Sequence, residues 1–154
     1  NTPALVGMGA SGLFANAKVT EKQKQLAQEV ISTVGFATWV DTDSDIDIVT
    51  AISGSGPAYF FLFMEAMQAT AMEMGLSEDL ARALTYHTAA GAAALAQYSE
   101  DDIATLRRNV TSPGGTTEQA ILQFEGGDLR GLVAKALKAA RIRSVELAEE
   151  TDRT

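Results

Sequence analysis

The sequence predicts a mainly α protein that begins with a small α/β remnant, the tail of an α/β domain followed by a helical bundle. Three observations predict it. Residues 1 to 40 read as strand, helix, strand; an aspartate-rich run from Asp41 to Asp47 marks a boundary; beyond it, apolar residues recur at helical spacing to the end. The division is 1–43 for the α/β remnant and 44–154 for the helical domain.

In the remnant, residues 4 to 15 carry Leu5, Val6, Met8, Leu13 and Phe14 between small residues and read as a short strand. Thr20 and Gln23 have capping-box spacing, in which each side chain satisfies an orphan amide of the first helical turn. Leu26, Val30, Ile31 and Val34 form the apolar stripe of that helix, and Gly35 is placed to end it. Phe36 to Val40 supplies the second strand. Asn1-Thr2-Pro3 leads straight into this segment without an initiator methionine, which reads as the middle of a longer gene product.

In the helical part, Pro57 suits a first helical position, where its missing N–H costs nothing. Tyr59 to Met74 is apolar nearly all round, so this helix is expected to be buried, with a partner subunit completing its cover. Its methionines, Met64, Met67, Met72 and Met74, read as core or dimer packing. Ser77 caps the next helix, with Glu78 and Asp79 at its positive end. Leu80, Leu84, His87, Gly91, Leu95 and Tyr98 trace one face, and the small residues around Gly91 would let another helix come close. A short helix follows from about Asp101 to Arg108. Thr116 and Gln119 repeat the capping-box spacing for a helix that stops near Gly126-Gly127. A long helix from about Leu129 to Glu149 turns Leu132, Val133, Leu137, Ala140 and Leu147 inward.

Composition excludes several kinds of function. A net charge of −8 repels phosphate backbones and anionic membranes, so nucleic acid and membrane are not expected partners. The longest apolar stretch, Ala58 to Met64, is too short to span a bilayer, and no signal segment opens the chain. A cytoplasmic location is expected. With no cysteine and one histidine, neither a thiolate nucleophile nor a metal site is expected.

Two glycine-rich turns lead into helices: Ser53-Gly54-Ser55-Gly56-Pro57 and Ser112-Pro113-Gly114-Gly115-Thr116-Thr117. The second has the better physics for an anion, because glycines leave backbone amides unshielded and the helix start adds a positive dipole end. Thr117 adds a hydroxyl beside it. Taken alone, each turn is as well read as a plain helix start after a tight bend. Gly7-x-Gly9-x-x-Gly12 has dinucleotide-fingerprint spacing, but it opens no helix and Ala10 to Phe14 reads as strand. His87 reads as a packed interface histidine, and Arg107 and Arg108 as solvated.

The combination says more. Asn1-Thr2-Pro3-Ala4, then Val49-Thr50-Ala51-x-Ser53-Gly54-Ser55-Gly56-Pro57-Ala58-Tyr59, then Asn109-Val110-Thr111-Ser112-Pro113-Gly114-Gly115-Thr116-Thr117 resembles pyrroline-5-carboxylate reductase in motif, order and separation. The resemblance runs from Asn1 to about Leu147, a little over half of a usual family member. It implies the end of a Rossmann-type domain followed by an all-helical substrate-binding and dimerisation domain. The implied reaction is reduction of pyrroline-5-carboxylate to L-proline by hydride from NADPH or NADH. The partner is a second copy, as a homodimer or a ring of dimers.

By the same resemblance, Gly115, Thr116 and Thr117 hold the substrate carboxylate through backbone amides, and Ser112 belongs to that loop. The Thr117 hydroxyl lies near the ring nitrogen as the catalytic group. Asn109 and Asn1 face the cofactor, and Asp43 lines the substrate site in place of the more usual glutamate. The cofactor's pyrophosphate turn falls outside this sequence, so the chain alone is expected to bind cofactor poorly and to be inactive. Two alternatives stand beside this one: a non-catalytic homodimerisation module, and a related reductase of another small anionic imine.

Overall fold

The computed structural model describes residues 1–152. The chain packs as two compact units, Asn1–Phe60 with the segment from Val133 onward, and Phe61–Leu132.

In the first unit, Thr2–Val6 forms a 3-10 turn and not the start of a strand. Pro3 fixes φ at a helical value near the start of the turn, and Gly7 ends it in the left-handed region at φ 72°. Strand β1 is therefore shorter than expected, Gly9–Leu13. Helix α1, Glu21–Ser32, connects it to β2, Gly35–Trp39. The two strands are parallel, in register from Gly9 opposite Gly35 to Leu13 opposite Trp39.

The Thr20 cap forms as expected: Gln23 N–H donates to Thr20 Oγ1 at 3.3 Å, and Thr20 N–H donates to Gln23 Oε1 at 2.8 Å. Two expectations for α1 fail. Gly35 does not end the helix, which stops at Ser32 with Thr33 still right-handed and its hydroxyl donating to Val30 O. Leu26 and Val30 also face solvent, whereas Ala27, Gln28 and Ile31 are half-buried. Gln28 Nε2 donates to Ala37 O at 2.9 Å, so one polar side chain ties α1 to β2.

The aspartate run is helical, not a loop: α2 spans Asp43–Val49. A π-helical turn, Thr50–Gly54, follows, and α3 runs Gly56–Glu73. A Cβ added at Gly12 would lie 2.7 Å from Val49 Cγ2, so the absence of a side chain lets β1 pass directly against α2. One at Gly9 would sit 2.9 Å from Val34 O. Of the glycines with fingerprint spacing, Gly9 and Gly12 thus serve strand packing and Gly7 ends the 3-10 turn, and no helix opens there. Helix α7, Leu129–Asp152, joins this unit through Ser144 Oγ, which donates to Asp47 Oδ1 at 2.7 Å. Gly131, Leu137, Ala140 and Ser144 are half-buried, while Leu132, Val133 and Leu147 are exposed, contrary to expectation.

The second unit holds the rest of α3 with α4, Glu78–Tyr98, α5, Ile103–Asn109, and α6, Thr116–Gly126. Ser77 caps α4 as expected, accepting from Leu80 N–H, and Asp102 caps α5, accepting from Thr105 N–H at 2.7 Å. The buried side of α4 is Ala81 and Thr85, with Ala89 and Ala96 half-buried. Its Leu80, Leu84, His87, Gly91, Leu95, Tyr98 face is exposed instead of packed. The Phe63 and Phe124 rings meet at 5.8 Å. They line an open apolar cavity of about 440 Å³ with Met67, Met74, Leu84 and Thr85.

Helix α3 is not covered within one copy: Phe60, Phe61 and Leu62 are 68%, 60% and 66% exposed. Met67, Met72 and Met74 are exposed too. The helical run Asp43–Glu73 has 31 residues, and an 18-residue window of it reaches mean hydropathy 1.3, long and apolar enough to cross a membrane by length and composition.

Gly12→Ala should destabilise the chain by about 1–3 kcal/mol, since β1 or α2 must shift to admit the methyl group. Urea unfolding followed by circular dichroism measures this; an unchanged midpoint would show that the contact is soft.

Candidate active site

The turn before α6 is built by two residues with restricted or extended backbone freedom. Pro113 and Gly114 occupy its centre, Gly114 at φ 72°, and Gly115 N–H donates to Ser112 O at 3.0 Å. Proline followed by a positive-φ glycine is the type II pattern. Gly115 is extended, at φ −81° and ψ 170°, and takes the N-cap position. Thr116 is therefore the first helical residue and not the cap, so its expected pairing with Gln119 does not form. The residue three after the true cap is Glu118, whose Oε2 accepts from Gly114 N–H at 2.7 Å. Behind the turn, Thr111 Oγ1 donates to Arg107 O at 2.6 Å. Thr111 thus ties the loop back to α5 and Glu118 ties it forward to α6.

This leaves a specific set of donors. The amides of the first helical turn have no carbonyl one turn back to bond, and Gly115 has no side chain to offer one. Thr116 and Thr117 N–H groups are such orphans, at the positive end of the α6 dipole. The Gly115 amide, expected in the same role, closes the turn onto Ser112 instead. Thr117 is exposed, with its hydroxyl on that first turn. Asn109 ends α5, where its Nδ2 donates to Asp101 Oδ2 at 3.3 Å. So the second unit brings Asn109, Ser112, Gly115, Thr116 and Thr117 onto one helix–loop–helix connection. Arg108 stays exposed, with Nη2 donating to Thr105 Oγ1 within its own helix. His87 is exposed and not packed within one copy.

Asn1 and Asp43 lie in the first unit. The Asn1 amide is used at both ends: Nδ2 donates to Ser53 O at 2.8 Å, and Oδ1 accepts from Ala10 N–H at 3.1 Å. Asp43 opens α2 and is exposed. Its neighbours have structural tasks. Asp45 Oδ2 accepts from Thr42 Oγ1 at 2.7 Å and from Thr42 N–H at 2.9 Å, and Asp47 receives Ser144. Those two Thr42 bonds hold the Asp45 carboxyl below the usual aspartate value.

Such a loop, with open amides at a helix start and a threonine hydroxyl beside them, suits a small carboxylate ligand. Comparison with known proteins agrees with the helical architecture around it. Residues 43–147 match the model of the family described as pyrroline-5-carboxylate reductase dimerisation. The chain belongs to this family. A pyrroline-5-carboxylate reductase of Pseudomonas aeruginosa is 54% identical over 150 residues, covering 97% of this chain and 55% of that protein. The structure of a pyrroline-5-carboxylate reductase from Coxiella burnetii superposes with TM-score 0.92 at 50% identity, covering 96% of this chain and 54% of that one. The Plasmodium falciparum pyrroline carboxylate reductase with NADP bound superposes with TM-score 0.88 at 33% identity, covering 94% and 59%. The chain spans about half the length of the relatives it matches.

Two contacts were missed in the sequence. Glu118 was legible in principle, since Gly115-x-x-Glu118 has the capping-box spacing once the cap is set one residue earlier. The bond from Asn1 to Ser53 had no local signal, being 52 residues apart.

Because its folded-state value is depressed, the Asp45 contact contributes fully at neutral pH and is lost as the pH falls through that value, below 3.8. The carboxyl carbon followed by NMR should titrate below 3.8, moving up toward it in Thr42→Val. A midpoint at or above 3.8 in the unsubstituted chain would remove this cap from the account.

Proposed function

We propose that this chain is the substrate-binding and dimer-forming part of an enzyme that reduces pyrroline-5-carboxylate to L-proline, the last step of proline biosynthesis, in the cytoplasm. In the corresponding division, residues 1–43 end the dinucleotide-binding domain and 44–154 form the helical domain, and the family match beginning at residue 43 supports that boundary. The observation that carries the proposal is the α6 start, where the Thr116 and Thr117 amides lack acceptors and the Thr117 hydroxyl stands beside them. A cyclic imine with one carboxylate needs an anion cradle and one hydrogen bond at nitrogen, and this loop offers both.

The Thr116 and Thr117 amides hold the substrate carboxylate, Ser112 and Gly115 shape the loop, and Thr117 Oγ1 orients the imine nitrogen and helps deliver its proton. Asp43 lines the substrate site; unlike Asp45 and Asp47, it has no side-chain hydrogen bond among the described residues. Asn109 faces the cofactor, and Asn1 lies toward its nicotinamide end. Gly9 and Gly12 are committed to strand packing, so these residues do not form a pyrophosphate cradle, and the cofactor is held mainly by a preceding domain. When bound, NADPH or NADH supplies the hydride. The NADP in the Plasmodium falciparum structure supports a nicotinamide cofactor.

A second copy of the chain covers the exposed faces of α3 and α4. Each large side chain moved out of water there contributes about 1.5–3 kcal/mol. The family's description as a dimerisation domain supports this partner.

The deciding experiment follows oxidation of NADPH and NADH by their ultraviolet absorbance in the full-length protein with pyrroline-5-carboxylate. Substrate-dependent oxidation is expected. A folded protein that oxidises neither cofactor with this substrate would overturn the assignment. Thr117→Ala should lower kcat roughly 10–100-fold while the cofactor KM stays within about twofold; unchanged turnover would take the hydroxyl out of the mechanism. Phe61→Asp should convert the assembly to monomers in sedimentation velocity, where the unsubstituted protein also distinguishes a dimer from a ring of dimers.

A further inference from the structure

Two sequence motifs that are far apart meet in the first unit through a main-chain vacancy. In a regular helix the carbonyl of residue i accepts from the N–H of residue i+4. Ser53 O would take its bond from residue 57, which is proline and has no N–H. The π turn does not repair this. Its bond runs from Ser55 N–H to Thr50 O at 2.8 Å, and the first amide after Pro57, Ala58 N–H, goes to Ser55 O at 3.1 Å. The donor that reaches Ser53 O comes from outside the helix: Asn1 Nδ2, at 2.8 Å. The other end of the same amide accepts from Ala10 N–H at the start of β1.

We infer that Asn1 is a positioning residue, which supplies the hydrogen bond that Pro57 removes and so fastens the loop before β1 to the kink that starts α3. This rests on the proposed reading, in which that loop lies toward the nicotinamide end of the cofactor. It changes the role expected of Asn1. Both polar atoms of its side chain are occupied within the protein, so it acts on the cofactor through the loop's position and not through its own amide. The chemistry is specific to an amide. Aspartate keeps an acceptor for Ala10 but has no donor for Ser53, and alanine has neither.

Two further features fit this role. Gly56, the first residue of α3, is buried, so the bond to Ser53 lies next to a backbone position shielded from water. Ser53 Oγ donates back to Val49 O at 3.1 Å, bracing the last turn of α2 while leaving its own carbonyl to Asn1. Single-turn π segments inside helices are often placed at functional sites, and here the segment presents one carbonyl to one side chain.

The test is a double-mutant cycle with Pro57→Ala, which returns an N–H to position 57 and gives Ser53 O a main-chain donor. In the full-length protein, Asn1→Ala should raise the cofactor KM about fivefold or more with kcat within about twofold. In the Pro57→Ala background the same substitution should change KM less than about twofold. Asn1→Asp should behave like Asn1→Ala at Ser53, separating the donor's role from the acceptor's.

The same cycle is read in urea midpoints, which need no activity: Asn1→Ala should lower the midpoint more in the Pro57 protein than after Pro57→Ala, where only the bond from Ala10 N–H is lost. Equal midpoint shifts in both backgrounds would overturn the coupling. A coupled midpoint with an unchanged cofactor KM would overturn the positioning role and leave Asn1 a structural clamp. If the full-length protein lacked reductase activity altogether, the proposed function would fail while the midpoint cycle still decided whether Asn1 replaces the Pro57 donor.

Discussion

The constraint on which the structure depends is a shortage of interior. Among the described residues only Ala51 and Ala81 are fully buried hydrophobic side chains, and no large side chain is completely removed from water. Fixing the backbone of a residue costs about 1–2 kcal/mol, and burial of apolar area is the main compensation. Helices α3 and α4 display aromatic and aliphatic side chains in quantity, yet one copy encloses few of them. Their compensation therefore comes from a second surface, and the proposed homodimer supplies it. On that account, the chain's stability is tied to protomer concentration, as in obligate dimers generally.

Glycine serves opposite ends in the two units. Gly12 has no side chain because Val49 stands where its Cβ would be; its purpose is contact between protein parts. Gly114 faces open space on the corresponding side and is needed for its backbone angle, which points the turn so that the following amides come free. Of the two glycine patterns in the sequence, the one with the better-known spacing is the packing one. A regular expression sees composition, whereas the distinction lies in what each missing Cβ would have met.

Local chemistry was legible in the sequence and distant chemistry was not. Thr20 and Ser77 were read correctly as caps because the groups they bond lie three residues away. The helical character beyond the aspartate run, the strand–helix–strand order of the remnant, and the helix stop near Gly126-Gly127 also follow from local pattern. Errors arose where a neighbour in space decided the outcome. The Leu80–Tyr98 stripe of α4 was correctly seen as one face, but within a single copy that face looks outward while Ala81 and Thr85 look in. Thr116 was set one residue too late as a cap because Gly115, extended and lacking a side chain, takes that place without any side-chain signal. The candidate loop itself was visible as SPGGTT; that its Gly115 amide is spent on Ser112, leaving the two threonine amides, required coordinates.

The hydrogen bond from Ser144 to Asp47 spans 97 residues and belongs to a unit that is discontinuous in sequence. During synthesis, at roughly 5–20 residues per second, the first sixty residues leave the ribosome seconds before α7 is available to pack against α2. The intervening segment, Phe61–Leu132, is continuous and can complete its own contacts first. The first unit therefore closes only once α7 reaches α2, and the Ser144–Asp47 bond marks that late step.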